Sequence, residues 1–216
     1  MNRIIEPVLM TDEDQCRAFT VASRAYAKIA FVQWVFEKIP LKGTIADLGC
    51  GPGDFLIDIS NTDPTLKIIG FDGSAAMLSR ASSIIQKNNL ESKISIKNSL
   101  FENIVDADFD VSMSSLALHH QLDPLTFWNT IKRITKNDGY VFVMDLIRPE
   151  SESDADNIVQ LYARSESLLF QKDYKNSLLA AFTIPEIQHQ LIMSDLSHLT
   201  IEDMGQVVLI YGKISK

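Results

Sequence analysis

The sequence predicts an α/β fold: a parallel sheet with helices on both faces. Two observations carry this. Apolar, strand-like runs alternate with helix-patterned segments through most of the chain, the order that gives parallel strands joined by crossover helices. Four polar residues, Asp47, Asp72, Ser114 and Asp145, each close a predicted strand. In open sheets of this kind ligands sit beyond the carboxyl ends of the strands, where the strand order reverses.

The elements follow in order. The first 40 residues are predicted helical, with caps and first-turn acids from Thr11-Asp12-Glu13-Asp14 and an Ala-rich amphipathic continuation to Phe36. The first strand spans 44–48, and a helix at 53–60 starts from a glycine turn. The second strand is 67–72. Ser74 caps a helix over 74–88. Strands three and four fall at 93–97 and 109–114. Asp123-Pro124 is an N-cap followed by Pro at the first helical position, and the helix it opens ends at Asn137-Asp138-Gly139. The nearly continuous apolar run at 140–145 fits a strand covered on both faces. Residues 152–170 are amphipathic and helical, Thr183 to Glu186 form a capping box, and 199–214 make two strands around Met204-Gly205-Gln206. Trp34 and Trp128 read as core. There is no internal repeat or low-complexity linker, so 1–216 is expected to be one domain.

Composition narrows the partners. The chain has 216 residues, 28 acids against 20 Lys and Arg, and a net charge of −8. That balance disfavours DNA and RNA, because phosphate binding needs a positive field. Lys132, Arg133 and Lys136 sit at helical spacing and read as a solvated face. Of the two cysteines, Cys50 lies inside the glycine turn, and no metal-ligand cysteine spacing exists, so neither a disulfide nor a metal is predicted. No signal-peptide apolar core or membrane-length apolar run occurs; a cytoplasmic protein without a membrane partner is the expectation.

The run Asp47-Leu48-Gly49-Cys50-Gly51-Pro52-Gly53-Asp54 carries the most information. Its alternate glycines allow a sharp turn and let a ligand approach the main chain. Asp72 follows Gly53 by 72 − 53 = 19 positions, close to the roughly 20 expected between such a turn and a ribose-binding acid. A nicotinamide dinucleotide would need a third small residue where Asp54 stands, beside its pyrophosphate. A carboxylate there suits a cofactor with positive sulfonium and amino groups instead, which points to S-adenosylmethionine.

These residues resemble class I S-adenosylmethionine-dependent methyltransferases. Asp47 to Gly53 looks like the family's first motif and Phe71-Asp72-Gly73-Ser74-Ala75-Ala76-Met77-Leu78 its second-strand motif. Ser114-Ser115-Leu116-Ala117-Leu118-His119-His120 resembles the fourth-strand motif with its Leu-His-His. The chain is more closely similar to small bacterial methyltransferases with Asp-Leu-x-Arg-Pro after strand five, here Asp145 to Pro149, and with a segment like Asn176 to Thr183. The resemblance implies a Rossmann-like fold with a seven-stranded, mostly parallel sheet and an antiparallel last strand. It implies that Gly49, Cys50, Gly51 and Gly53 approach the methionine and ribose, and that Asp47 holds the amino end. Asp72 would accept both ribose hydroxyls. Gly73 and Met77 would flank the adenine, with Asn98, Ser99 and Leu100 along its edge and Ser114 and Leu116 beside the methionine.

The acceptor side is less determined. Adjacent His119 and His120 are expected to point in different directions, so that at most one faces the methyl donor, as general base or substrate clamp. Tyr26, Tyr162, Arg164, Tyr174 and Asn176, on lids formed by 1–40 and 150–182, and Asp145 and Arg148, just past strand five at the cleft rim, are candidate substrate residues. A small-molecule substrate and S-adenosylhomocysteine product are expected, from a monomer or homodimer. A non-transferring S-adenosylmethionine sensor or partner subunit, and a protein or RNA methyltransferase, remain open alternatives at this point.

Overall fold

In the computed structural model the described residues are 1–6, 9–22 and 25–216; for 25–30 only the backbone is described. Seven strands form one sheet: β1 (Thr44–Leu48), β2 (Lys67–Asp72), β3 (Ile94–Asn98), β4 (Phe109–Ser115), β5 (Thr135–Leu146), β6 (Thr200–Asp203) and β7 (Val207–Lys213). Their order is β3-β2-β1-β4-β5-β7-β6. The first five are parallel, and β7 runs antiparallel to both its neighbours. The order reverses between β1 and β4, so the carboxyl ends of those strands flank the crevice where this topology binds ligands.

Strand alternation sorts the core into two layers. Ala46, Leu48, Val141 and Val143 face one side, with Phe127, Trp128 and Ile131 of α5 (Pro124–Ile134) and Ile187 and Leu191 of α8 (Ile184–Met193). Ile45, Ile68, Phe142 and Met144 face the other. There they meet α2 (Ala25–Lys38), α3 (Asp54–Ser60) and α4 (Ala75–Lys87). Buried Trp128 donates its indole N–H to Gln190 at 2.9 Å, so its one polar atom is satisfied inside the core. A third cluster joins Leu146 at the end of β5 to α6 (Glu152–Tyr162) and α7 (Leu168–Ala180) through Ala155, Val159 and Leu178. It sits over the carboxyl edge of the sheet. No helix among the described residues is long and apolar enough to cross a membrane.

The capping signals hold where they were strongest. The Thr183 side chain accepts from Glu186 N–H while the Glu186 carboxylate accepts from Thr183 N–H, a complete capping box. Asp123, Ser74 and Asp12 all cap their helices.

Three boundaries differ from the sequence reading. The α5 helix stops at Ile134 and the strand starts at once, because Thr135 donates its hydroxyl to Ile131 O and pairs with Phe109. Asn137-Asp138-Gly139 is therefore an irregular part of β5 rather than the helix stop; Asp138 has φ +62° and its N–H bonds to Ile214 O. The 152–170 segment is two helices, since Ser167 caps a new one by accepting from Phe170 N–H.

The third difference concerns the first 40 residues, which do three separate jobs. Residues 1–6 are not helical, and Ile4 N–H bonds to Leu179 O. Helix α1 (Glu13–Val21) lies against α7 and α4. The α2 helix buries Phe31, Val35 and Ile39 in the sheet sandwich, so it belongs to the body of the fold.

Candidate active site

One cavity of about 850 Å³ opens at the carboxyl ends of β1, β2, β4 and β5. Its first wall is the turn after β1. Gly49 has φ +75°, and a Cβ there would lie 2.5 Å from the Ala117 methyl. Gly51 has φ +52° and open space where a Cβ would point, so its main chain faces the cavity bare. Gly49 and Cys50 both donate their N–H to Phe71 O, which locks the turn to the neighbouring strand.

Asp72 closes β2 and lines the same wall. One of its oxygens accepts Gly51 N–H at 2.8 Å and the other Ser74 N–H at 2.7 Å. Burial raises its pKa, and the two amides work against that. Each oxygen keeps a lone pair for a ligand hydroxyl. Asp47 is 2% exposed, and among the described residues no cation acts on it; burial, then the Asp72 charge, pushes its pKa up to about 7. A buried carboxyl without a counter-charge fits a site built for a cationic group.

The predicted cofactor residues divide. Gly49, Cys50, Gly51, Asp72, Gly73, Met77, Ser99, Leu100 and Leu116 all line the cavity. Asp47 and Gly53 stand outside its lining, Gly53 as the N-cap of α3. Asn98 is also outside; its amide N–H donates to Asp72 O at 3.0 Å, tying β3 to β2. Ser114 is a correction. Its hydroxyl donates to Leu48 O at 2.6 Å within the sheet, and the pleat gives the cavity position to Ser115 instead. Ser115 Oγ is buried there without a hydrogen-bond partner. Trp34, expected in the core, is half-buried and lines the cavity as well.

The opposite wall comes from remote segments. Leu9, Met10 and Phe19 approach from the N-terminal side, and Phe170 and Tyr174 from α7. Phe170 and Tyr174 stack at 6.2 Å. Burial, then Tyr162, pushes the Tyr174 phenol up to about 12, so it remains a donor at neutral pH. Tyr162 lines the outer cavity while 57% exposed. Among the other substrate candidates, Arg164 and Asn176 do not line the cavity, and the Tyr26 side chain lies outside the described residues. Arg148 is a correction: it is buried and donates to Ala181 O and to Glu186, at 2.8 Å, holding the loop before α8 rather than facing a substrate.

The His pair also departs from expectation. The turn Leu118–His120 is a single 3-10 turn, and the two rings lie side by side, centroids 4.3 Å apart and tilted by 34°, instead of diverging. Both line the cavity, and both face one oxygen of Glu6: His119 Nε2 and His120 Nδ1 are each 3.3 Å from Glu6 Oε1. Asp145 is not at the cavity. It accepts from Leu118 N–H and holds His119 Nδ1 at 2.6 Å. Burial, the largest single influence on His119, favours the neutral ring; the Asp145 and Glu6 carboxylates together outweigh it and raise the pKa to about 9. Glu6 was invisible in sequence because it reaches the turn from more than a hundred residues away. Its strap is pinned by Arg3, which donates to the carbonyls of His119, Gln121 and Ala180. Ser115 had a signal, since strict alternation along β4 separates it from Ser112 and Ser114.

Known proteins with similar sequence or shape agree with this geometry. Residues 42–188, more than half of the chain, match the family model described as a methyltransferase domain. Curated relatives include an uncharacterised methyltransferase of Schizosaccharomyces pombe, 31% identical over 45% of this chain and 37% of its own length. They also include carboxy-S-adenosyl-L-methionine synthase of Campylobacter jejuni, 30% identical over 58% of this chain and 53% of its own. The chain thus spans about half the length, or less, of these relatives. Among solved structures, a SAM-dependent methyltransferase from Aquifex aeolicus superposes with a TM-score of 0.68 at 17% identity, covering 95% of this chain and all of that one. The plantazolicin methyltransferase BamL, in complex with a triazolic desmethylPZN analogue and SAH, gives 0.70 at 15% identity, covering 93% and 89%. With its glycine turn, strand-end acids and sheet order in their places, the chain belongs to the methyltransferase domain family and has the class I fold of S-adenosylmethionine-dependent methyltransferases.

Proposed function

We propose that this chain transfers the methyl group of S-adenosylmethionine to a small, largely apolar acceptor. The observation that carries the reading is a cavity with two unlike walls: bare main chain and Asp72 on one, stacked aromatic and aliphatic side chains on the other. Its volume, about 850 Å³, lies toward the upper end of the roughly 300–1,000 Å³ of small-molecule sites.

Asp72 would hold the ribose hydroxyls, Met77 and Leu100 the adenine, and the Gly49–Gly51 main chain the methionine portion. When bound, the cofactor supplies an already reactive methyl group on a sulfonium. The residues of the chain then have mainly to align the acceptor. Phe19, Phe170 and Tyr174 would orient it and exclude water, and such positioning lowers a barrier by roughly 7–11 kcal/mol. Residues 9–21, with α6 and α7, would act as the covering lid. The acidic net charge and the covered cavity favour a small acceptor over a nucleic acid.

The test is methyl transfer from radiolabelled S-adenosylmethionine into fractionated cell extract. Label is expected in the metabolite fraction, with S-adenosylhomocysteine as the nucleoside product. Label in the protein or RNA fraction would overturn the acceptor class. Cofactor binding by calorimetry with no turnover in any fraction would favour the sensor reading.

A further inference from the structure

We propose that Glu6, His119 and His120 bind a divalent transition-metal ion at the cavity wall, with open coordination positions facing the acceptor space. Three independent features converge there.

The first is spacing. The Glu6 Oε1, His119 Nε2 and His120 Nδ1 atoms lie within 4.8 Å of one another, and each nitrogen is 3.3 Å from the oxygen. Ligands held about 2.0–2.2 Å from a tetrahedral ion stand about 3.3–3.6 Å apart. Both nitrogen–oxygen separations therefore match those around a shared ion.

The second is the supporting shell. Asp145 grips His119 Nδ1 at 2.6 Å and is itself fixed by Leu118 and Leu146 N–H. A carboxylate behind the distal ring nitrogen of a histidine is the arrangement that sets the tautomer and aims the other nitrogen at a metal. With Nδ1–H given to Asp145, it is Nε2 that faces Glu6, and an ion entering there would displace the Nε2 proton and take its lone pair.

The third is an unresolved polar contact. Glu6 Oε1 is buried and makes no hydrogen bond of acceptable geometry, although two imidazole nitrogens stand beside it. A lone pair facing a carboxylate oxygen at 3.3 Å needs a positive species between them. In the ion-free protein a proton fills that role. Glu6 and Asp145 add two carboxylates to the cluster, and the nearby Arg3 guanidinium donates to main-chain carbonyls and makes no hydrogen bond to either of them. Two imidazoles and a carboxylate suit Zn²⁺, Fe²⁺, Co²⁺ or Ni²⁺ better than Mg²⁺ or Ca²⁺.

Because both histidines line the cavity, the remaining positions of the ion face its interior. There it would take an oxygen of the acceptor, so the class of acceptor narrows to one with a hydroxyl, phenol or carboxylate beside an apolar body. This narrowing rests on the methyl-transfer reading; the ion site itself does not.

The experiment uses the full chain without a histidine tag, stripped with chelator and titrated with Co²⁺ and separately with Zn²⁺. One ion per chain is expected, with visible d–d absorption in the Co²⁺ form. Glu6→Gln and His120→Gln should each weaken binding at least about 10-fold, and exposed His189→Gln and His198→Gln should leave it unchanged. Asp145→Asn is expected to weaken binding about 10- to 100-fold and to shift the Co²⁺ spectrum, as a positioning residue should. His120→Gln guards against misfolding of the others, since His120 is partly exposed and its variant can be checked by thermal melting. Absence of a saturable Co²⁺ or Zn²⁺ complex in the wild-type chain means that a proton alone occupies the cluster, and it overturns the site. So does binding that survives both Glu6→Gln and His120→Gln. S-adenosylmethionine calorimetry on the stripped protein reports separately on the cofactor reading.

Discussion

The two walls of the cavity differ in how they are made. The glycine-turn wall is main chain and strand ends, drawn from residues 49–77 with Ser99 and Leu100 added from after β3. Its polar groups are fixed by bonds within the sheet, such as Gly51 N–H to Asp72. The aromatic wall is side chains from at least four separated stretches: residues 9–19, the His turn, α6–α7 and 204–207. It is held together by packing and by the Arg3 and Glu6 strap. The first wall can recognise one constant ligand, while the second can be rebuilt side chain by side chain without disturbing the sheet.

The sharpest break of this contrast is Asp72→Ala. It removes a carboxylate that would make two charge-assisted bonds to the cofactor, each about 1.5–3 kcal/mol, so Kd for S-adenosylmethionine should rise at least about 100-fold. Phe170→Ala should change that Kd less than about 3-fold while lowering methyl transfer. Calorimetry on both variants decides; equal losses of cofactor affinity would mean that the walls are not separate.

Next in size is Gly49→Ala. A Cβ 2.5 Å from Ala117, at φ +75°, combines overpacking with left-handed backbone strain. Together they should cost about 2–4 kcal/mol in urea unfolding. Gly51→Ala meets no atom within 4 Å and carries only the strain, so about 1–2 kcal/mol is expected.

The same contrast explains what was legible in the sequence. Strands β1, β2 and β4 and the glycine turn could be placed because local pattern dictates them: apolar alternation, an acid at the strand end, glycines where φ is positive. Asp72 followed from short-range spacing, and Met77 from the resemblance of the second-strand motif. What stayed hidden depended on contacts between distant segments. Nothing near Glu6 marks it as a partner of His119, and nothing near Arg148 says that Ala181 and Glu186 take its two terminal nitrogens. The division of the first 40 residues into strap, cover and sheet layer is also tertiary. Helical periodicity identifies α2 but not which surface buries Phe31 and Val35. Ser114 was misplaced by a single register position, where the period of two makes one residue decide between sheet interior and cavity.

A third prediction concerns pH. In the folded protein the Asp47 carboxyl is pushed up to about 7, against about 3.8 when unfolded. Between those values the folded state holds a proton that the unfolded state does not, so this group's contribution to stability falls as pH rises from about 4 through about 7. A cationic amino group beside Asp47 would favour its ionised form. Cofactor affinity should therefore improve as pH rises from about 5.5 to 7, by at most about tenfold per unit, with proton release. Calorimetry in two buffers of different ionisation enthalpy measures that release. Asp47→Asn should abolish the slope, and a slope that persists would assign the proton to another group.

The smallest effects separate two neighbouring serines. Ser114 donates to Leu48 O in a buried bond, so Ser114→Ala should cost about 1 kcal/mol of stability and leave cofactor affinity unchanged. Ser115 Oγ is buried at the cavity with no protein partner, so Ser115→Ala should not destabilise the fold. If that hydroxyl meets the cofactor or the acceptor, its loss weakens one of them by about 3- to 10-fold, equivalent to a single neutral hydrogen bond of about 0.5–1.5 kcal/mol. Urea melts and calorimetry on the two variants should thus give opposite patterns. The reverse result, with Ser114→Ala losing cofactor and Ser115→Ala losing stability, would shift the register of β4 by one residue and return Ser114 to the methionine portion of the site.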